Sequence, residues 1–190
     1  METERKIVDK IRGGDHAAFK TLFNHHKRTV FNICCRIVCN EEEAEDLCQE
    51  VFVKVYQSIH KFQHHSQLST WIFRIAVNHS LNHVRRKRLS RSIPLYSYFF
   101  DSEADRSPPE SPELRPDRLL EKKERDKIIA WAVGTLTDKQ KVALVLQKYE
   151  GFSCKEITEI LDCSMAQVQS LLQRAKKNLY KKLQPYLEKI

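Results

Sequence analysis

The run Ser153-Cys154-Lys155-Glu156-Ile157-Thr158-Glu159-Ile160-Leu161-Asp162-Cys163-Ser164-Met165-Ala166-Gln167 decides the fold, because it holds two helix starts separated by one tight turn. Ser153-x-x-Glu156 and Ser164-x-x-Gln167 both have the form of a capping box. In that arrangement a hydroxyl accepts from the amide three residues on, while the third side chain reaches back to the cap amide. Thr137-x-x-Gln140 is a third such box, and Gly151 stands where the helix opened by Thr137 should stop. The pattern predicts a short helix over about 154–161, a turn at Asp162-Cys163-Ser164, and a long helix running towards Tyr180. Ile157, Ile160, Leu161, Val168, Leu171, Leu172, Ala175 and Leu179 supply apolar faces at helical spacing. A short helix, a tight turn and a longer helix have the proportions of a helix-turn-helix.

The second helix of such a unit offers its N-terminal side chains to base edges in the major groove. Here these are Met165, Ala166, Gln167, Gln169, Ser170 and Gln173. Glutamine can pair bidentately with adenine, and small residues let a helix approach the groove floor. Arg174, Lys176, Lys177, Lys181 and Lys182 follow without an acid among them and suit phosphate contacts. A helical hairpin with a solvated basic face is the plainer alternative; the capping chemistry and the turn length together favour DNA.

Working outward, the whole chain is poor in helix breakers. It has 4 Gly and 6 Pro in 190 residues, and five of the prolines fall in one stretch, so an all-α fold is expected. Residues 92–118 carry Pro94, Pro108, Pro109, Pro112 and Pro116, with Asp101, Glu103, Asp105, Glu110, Glu113 and Asp117. Closely spaced prolines deny the backbone a regular hydrogen-bond ladder, and the acids keep it solvated. This segment is therefore read as an extended linker between two small helical domains, 1–91 and 119–190. Its apolar opening, Leu95-Tyr96-Ser97-Tyr98-Phe99-Phe100, either docks on a partner surface or extends the first domain's core.

Charge points to an anionic partner: 33 Lys+Arg against 25 Asp+Glu leave a formal +8. No apolar run approaches membrane-spanning length, and the charged opening Met1-Glu2-Thr3-Glu4-Arg5-Lys6 is unlike a signal peptide, so a cytoplasmic protein is expected. The spacing of the six cysteines (34, 35, 39, 48, 154 and 163) fits no common zinc pattern. They read as small buried hydrophobes. No nucleophile–base constellation or phosphate loop is visible, so neither catalysis, cofactor, metal nor small-molecule substrate is expected.

The first domain holds two patches of opposite sign. Glu41, Glu42, Glu43, Glu45, Asp46 and Glu50 form an acidic run without a base, which suits solubilising surface or a dock for a basic protein. Arg85, Arg86, Lys87, Arg88 and Arg91 follow a helix, Ser69 to Val84, that carries Trp71, Phe73, Asn78, His79, Asn82 and His83. Aromatics and amides beside a basic run suit a surface that stacks and hydrogen-bonds exposed bases. Ile72, Ile75 and Ala76 read as the core-facing stripe, which leaves Asn78, Asn82 and the basic run for DNA.

Three segments carry a family resemblance. Asp46-Leu47-Cys48-Gln49-Glu50-Val51-Phe52 resembles a D-L-x-Q-E-x-F segment, and Ser69-Thr70-Trp71-Ile72-Phe73-Arg74-Ile75-Ala76-Val77-Asn78, continuing to Asn82-His83-Val84-Arg85-Arg86, resembles T-W-L-x-x-I-A-x-N-x-x-x-D-x-x-R-R. Leu136-Thr137-Asp138-Lys139-Gln140 and Tyr149-Glu150-Gly151-Phe152-Ser153 resemble the opening of a region 4. In this order and spacing, over nearly the whole chain, they resemble the extracytoplasmic-function (ECF) group of bacterial sigma factors. The resemblance implies that Asp46, Gln49, Glu50 and Val53 dock on core RNA polymerase. It implies that Phe62, in the loop of about 60–68, with Trp71, Asn78, Asn82, Arg85, Arg86 and Arg88, captures the single-stranded -10 element. The -35 duplex would fall to Ser164, Met165, Gln167, Gln169, Ser170, Gln173, Arg174 and Lys177. The linker would thread through the polymerase, and an anti-sigma factor is an implied partner.

Three departures stand out. Asn82 replaces the usual Asp, Gln169 and Leu171 replace two usual cations, which should lower the salt dependence of -35 binding, and Asp162 replaces a helix-ending Gly. Two other readings remain: a helix-turn-helix regulator with a sensing or oligomerising N-terminal domain, and a protein-interaction adaptor whose basic helices bind acidic proteins.

Overall fold

Caps set most helix boundaries in the computed structural model, which describes residues 2–91 and 118–187. The described residues form eight α-helices: α1 (Glu2–Arg12), α2 (His16–Val38), α3 (Glu41–Ser58), α4 (Leu68–Arg91), α5 (Arg118–Gly134), α6 (Asp138–Lys148), α7 (Cys154–Leu161) and α8 (Met165–Leu187). One 3-10 turn spans Ile59–Lys61, and the described residues hold no strand. The segment 92–117, with the apolar run Leu95–Phe100, lies outside the described residues.

Asp15 opens α2 by accepting from the amides of Ala17 and Ala18 at 2.9 and 3.0 Å. Asn40 opens α3 by accepting from Glu43 at 2.9 Å. The three predicted capping boxes all form, at Thr137/Gln140, Ser153/Glu156 and Ser164/Gln167. A cap of this kind contributes ~1 kcal/mol. Gly14, at φ +86, makes the turn from α1 into α2 that a β-carbon would strain.

The predicted glycine-free turn resolves simply: Asp162 itself takes the left-handed conformation, at φ 51 and ψ 56, and its amide donates to the Thr158 carbonyl. Short polar side chains are among the few that tolerate this region.

Helices α2, α3 and α4 pack mutually around Val30, Ile33, Val51, Val55, Ile72, Ala76 and Val77, all fully buried. Each large aliphatic side chain so buried is worth ~1.5–3 kcal/mol. Helix α1 adds Val8 and Ile11, and its Arg12 donates at 2.6 Å to the carbonyl of Phe62, tying down the loop before α4. Helices α5, α6 and α8 gather a smaller cluster around Leu136, Leu144 and Ala175. The halves are not separate cores. Val142, Ala143 and Leu146 of α6 and Ile157 and Ile160 of α7 join the N-terminal cluster, because α6 packs on α2 and α7 on α4.

Candidate nucleic-acid interface

Asp46, Gln49, Glu50 and Val53 sit at i, i+3, i+4 and i+7 of α3, the spacing that puts side chains on one helix face. All four are exposed, and with Lys54, Gln57 and His79 they line a shallow open groove between α3 and α4. Val53 is 55% exposed, an apolar side chain left outward amid charge. His79 approaches Glu50 at 3.8 Å.

The acidic run is not uniformly outward-facing. Glu43 turns towards α4, where it accepts from His83 at 2.8 Å and from Lys87. Burial pushes its carboxyl up, but the Lys87 and His83 donors outweigh this and hold it below the usual glutamate value. The two patches of opposite sign are thus joined at this point.

On α4, Asn78, Asn82, Arg85 and Arg86 recur at i, i+4, i+7 and i+8 and are all exposed, forming one continuous amide-and-guanidinium stripe. The rest of the expected -10 set is placed differently. Phe62 is only 3% exposed, its ring 5.4 Å from Trp71 and 4.7 Å from His64, so it belongs to the core and offers no face for base stacking here. Phe73 is likewise buried, between His26 and Phe152. Trp71 is half-buried. Arg88 makes two hydrogen bonds to Asp138 of α6, at 3.0 and 2.6 Å.

In the helix-turn-helix, Ser164, Met165, Gln167, Gln169, Gln173, Arg174 and Lys177 are exposed and Ser170 is half-buried. The Gln167 side-chain oxygen accepts from the Ser164 amide at 2.9 Å, so that end of its amide serves the cap. Leu171 is half-buried and packed on the core cluster, so this position contributes to packing.

The cysteines divide. Cys34 and Cys48 are buried, and burial pushes the Cys34 thiol up to about 12, as inert core residues require. Cys39 departs from that reading. It is exposed, caps α2 in the left-handed conformation at φ 60, and its sulfur lies 3.2 Å from the Lys141 ammonium. All six thiols are free, and among the described residues no three His, Cys, Asp or Glu side chains come together as a metal site.

Sequence reasoning missed the residues that join the halves. Lys141, 6% exposed, donates to the Ile37 carbonyl at 2.9 Å. Arg36 lies 4.0 Å over the Tyr149 ring and 3.6 Å from Glu150, whose carboxyl burial pushes up despite that guanidinium. Arg74 donates twice to the Glu159 carbonyl, by Nε at 3.0 Å. Lys141 had one local signal, its place beside the run Val142-Ala143-Leu144-Val145-Leu146. Arg36, Arg74 and Arg88 had none, since their partners lie 50 or more residues away.

The described residues thus form a helical fold with a C-terminal helix-turn-helix and exposed basic faces on α4 and α8. Residues 22–90 match sigma-70 region 2 and residues 127–179 match sigma-70 region 4. The chain is 29% identical to the RNA polymerase sigma-H factor of Pseudomonas aeruginosa over 98% of this chain and 97% of that protein. It is 29% identical to the ECF RNA polymerase sigma-E factor of Haemophilus influenzae, over 97% of each. The fold resembles that of the sigma factor RpoE crystallised with the anti-sigma factor NepR from Bartonella quintana, with TM-score 0.61, 21% identity, and 87% of this chain and 96% of that one covered. The chain belongs to the ECF group of the sigma-70 family, and so is a sigma factor that directs promoter-specific transcription by RNA polymerase.

Proposed function

We propose that the outward face of α3, with Asp46, Gln49, Glu50 and Val53, docks on core RNA polymerase, while α4 and α8 read the two promoter elements. The observation that carries this is a segregation of charge by face. The α3 face sets Asp46 and Glu50 around one exposed valine, with Lys54 at its far end, whereas the α4 stripe and the length of α8 present amides and cations without an acid. An acidic face repels phosphate and complements a basic protein element, and a basic stripe does the reverse. Asn78, Asn82, Arg85 and Arg86 then hold the -10 strand. Arg88 and Trp71 would join them once uncovered. Ser164, Met165, Gln167, Gln169, Ser170, Gln173, Arg174 and Lys177 face the -35 duplex.

The domain division follows as 1–91 and 119–190, with 92–118 as the connecting tether. The tether raises the effective concentration of the second contact once the first is made, so each may be weak alone. The factor performs no chemical step of its own and works in the cytoplasm. Among the described residues no helix is long and apolar enough to cross a membrane. An anti-sigma factor is a fitting regulator, since the structurally similar RpoE was crystallised with one.

The test is reconstitution with core polymerase. Wild type should co-purify with core and support run-off transcription, whereas Asp46→Arg/Glu50→Arg should lose both while keeping its helical content. Undiminished core binding by that variant would overturn the assignment of α3.

A further inference from the structure

We propose that Cys39 and Lys141 form an oxidant-sensitive site, at which a hydroperoxide converts the Cys39 thiol to a sulfenic acid and the Lys141 amine then closes a covalent sulfur–nitrogen bridge. The bridge rests on the geometry of the pair alone. Its effect on transcription rests on the reading above that α4 and α8 engage separate promoter elements.

Of the six thiols, all within the described residues, Cys39 alone is exposed. It holds the left-handed position just past Val38, at φ 60 and ψ 29, where glycine or asparagine is the usual residue. Its sulfur accepts from the Lys141 ammonium at 3.2 Å and lies 3.6 Å from the Arg36 carbonyl. Lys141 is 6% exposed and is held a second time by the Ile37 carbonyl at 2.9 Å. The lysine nitrogen is thus fixed against the sulfur, while Cys39 stays open to a dissolved oxidant. Burial pushes the Lys141 ammonium below the usual lysine value, which favours the neutral, nucleophilic amine.

Cys35 is the poorer partner for an oxidised Cys39. The Cys39 amide donates to the Cys35 carbonyl at 2.7 Å, which keeps the two residues one helical turn apart. That spacing sets β-carbons ~5–6 Å from each other, whereas a disulfide takes ~3.5–4.5 Å. Burial also pushes the Cys35 thiol up, away from the thiolate that would attack.

In the first step the Cys39 sulfur takes the terminal O–H of the hydroperoxide as the O–O bond breaks, and the displaced oxygen leaves with the thiol proton as an alcohol or water. Sulfur is oxidised by two electrons and the peroxide is reduced by two. In the second step the Lys141 nitrogen attacks the sulfenic sulfur. An S–N bond forms, the S–O bond breaks, and hydroxide leaves with one amine proton as water, so no further oxidant is needed. The new bond joins residues on either side of the 92–118 segment, and a bridged molecule holds its two halves at one fixed separation.

The test maps the full chain after brief exposure to hydrogen peroxide, removal of the peroxide with catalase, alkylation of remaining thiols and proteolysis. Mass spectrometry of wild type should find a linked peptide pair carrying Cys39 and Lys141, lighter than its two parts by two hydrogens and parted by dithiothreitol. Cys39→Ser and Lys141→Arg should give no such pair, and the wild-type map decides the matter even where a variant folds poorly. Recovery of Cys39 in a disulfide with Cys35, as a sulfinic acid beside a free Lys141 amine, or in a link that keeps an oxygen would overturn the bridge. A thiol that alkylates as readily after peroxide as before would do the same. Peroxide-treated wild type, mixed afterwards with core polymerase, should lose run-off transcription about tenfold or more and regain it with dithiothreitol, because a molecule that cannot span two contacts forfeits the gain from its tether. Lys141→Arg treated alike should keep its activity. A mapped bridge that leaves transcription untouched would overturn the regulatory effect and count against separate engagement by α4 and α8, while the bridge itself stands.

Discussion

The ammonium of Lys141 is seated at the C-terminal end of α2, 2.9 Å from the carbonyl of Ile37, in a position that removes it almost wholly from water. The last carbonyls of a helix lack intrahelical partners and carry the negative end of its dipole, so a cation there answers both. Lys141→Met should keep the packing of the stem but leave the Ile37 carbonyl buried and unpaired. We expect a loss of about 1–3 kcal/mol, read as a lower unfolding midpoint in urea. An unchanged midpoint would mean that solvent reaches Ile37 when the lysine is gone.

Glu43 makes the N-terminal half sensitive to acid. Its folded-state pKa lies below 4.5, so the stability it contributes is fully present above pH 4.5 and is lost as pH falls through the folded value. Glu43→Gln should be less stable than wild type at pH 7 by ~1 kcal/mol. The difference should shrink towards zero on acidification below pH 4.5, because the wild-type carboxyl is then protonated too. Thermal melts at pH 7 and at decreasing acid pH measure this, and a gap that persists or widens would contradict it.

Arg85 and Arg86 are the exposed cations of the α4 stripe, and the strand assignment places them on unpaired DNA. Arg85→Ala/Arg86→Ala should therefore weaken promoter opening by the holoenzyme about tenfold or more, with a smaller effect on closed duplex binding. Permanganate reactivity of unpaired thymines, beside a duplex binding assay, separates the two. Equal losses would place the arginines on the duplex.

Gln169 is exposed on the recognition helix, where the family resemblance leads one to expect a cation. Gln169→Lys should steepen the dependence of -35 duplex binding on salt by ~0.9 in log–log slope, the release of about one counterion. Binding titrations across a salt series test this; an unaltered slope would place position 169 away from the phosphates.

The helix-turn-helix was legible because its determinants are local. Ser153, Ser164 and Thr137 find their partners three residues on, and the Asp162 turn is bounded by those same boxes. The alignment of Asp46, Gln49, Glu50 and Val53, and of Asn78, Asn82, Arg85 and Arg86, likewise follows from helical period alone. Misreadings arose where a side chain's role depends on a distant neighbour. Phe62 looked available for stacking, yet the Arg12 bond to its carbonyl and the Trp71 ring enclose it. Glu43 looked like solvated surface until α4 brought His83 and Lys87 beside it. Cys39 looked like core, but as the cap just past Val38 it is an exposed residue whose sulfur lies against the Lys141 ammonium.

The sequence by itself determined the helices, their caps, the helix-turn-helix and the sign of each exposed face, since all of these are set within a few residues by hydrogen-bond reach and the 3.6-residue period. Only the tertiary structure decided that α6 and α7 close over α2 and α4, that Lys141 caps a helix ending about a hundred residues earlier, and that Asp138 takes Arg88. Those pairings join groups whose charge and polarity would suit many partners, and packing alone selects which ones meet.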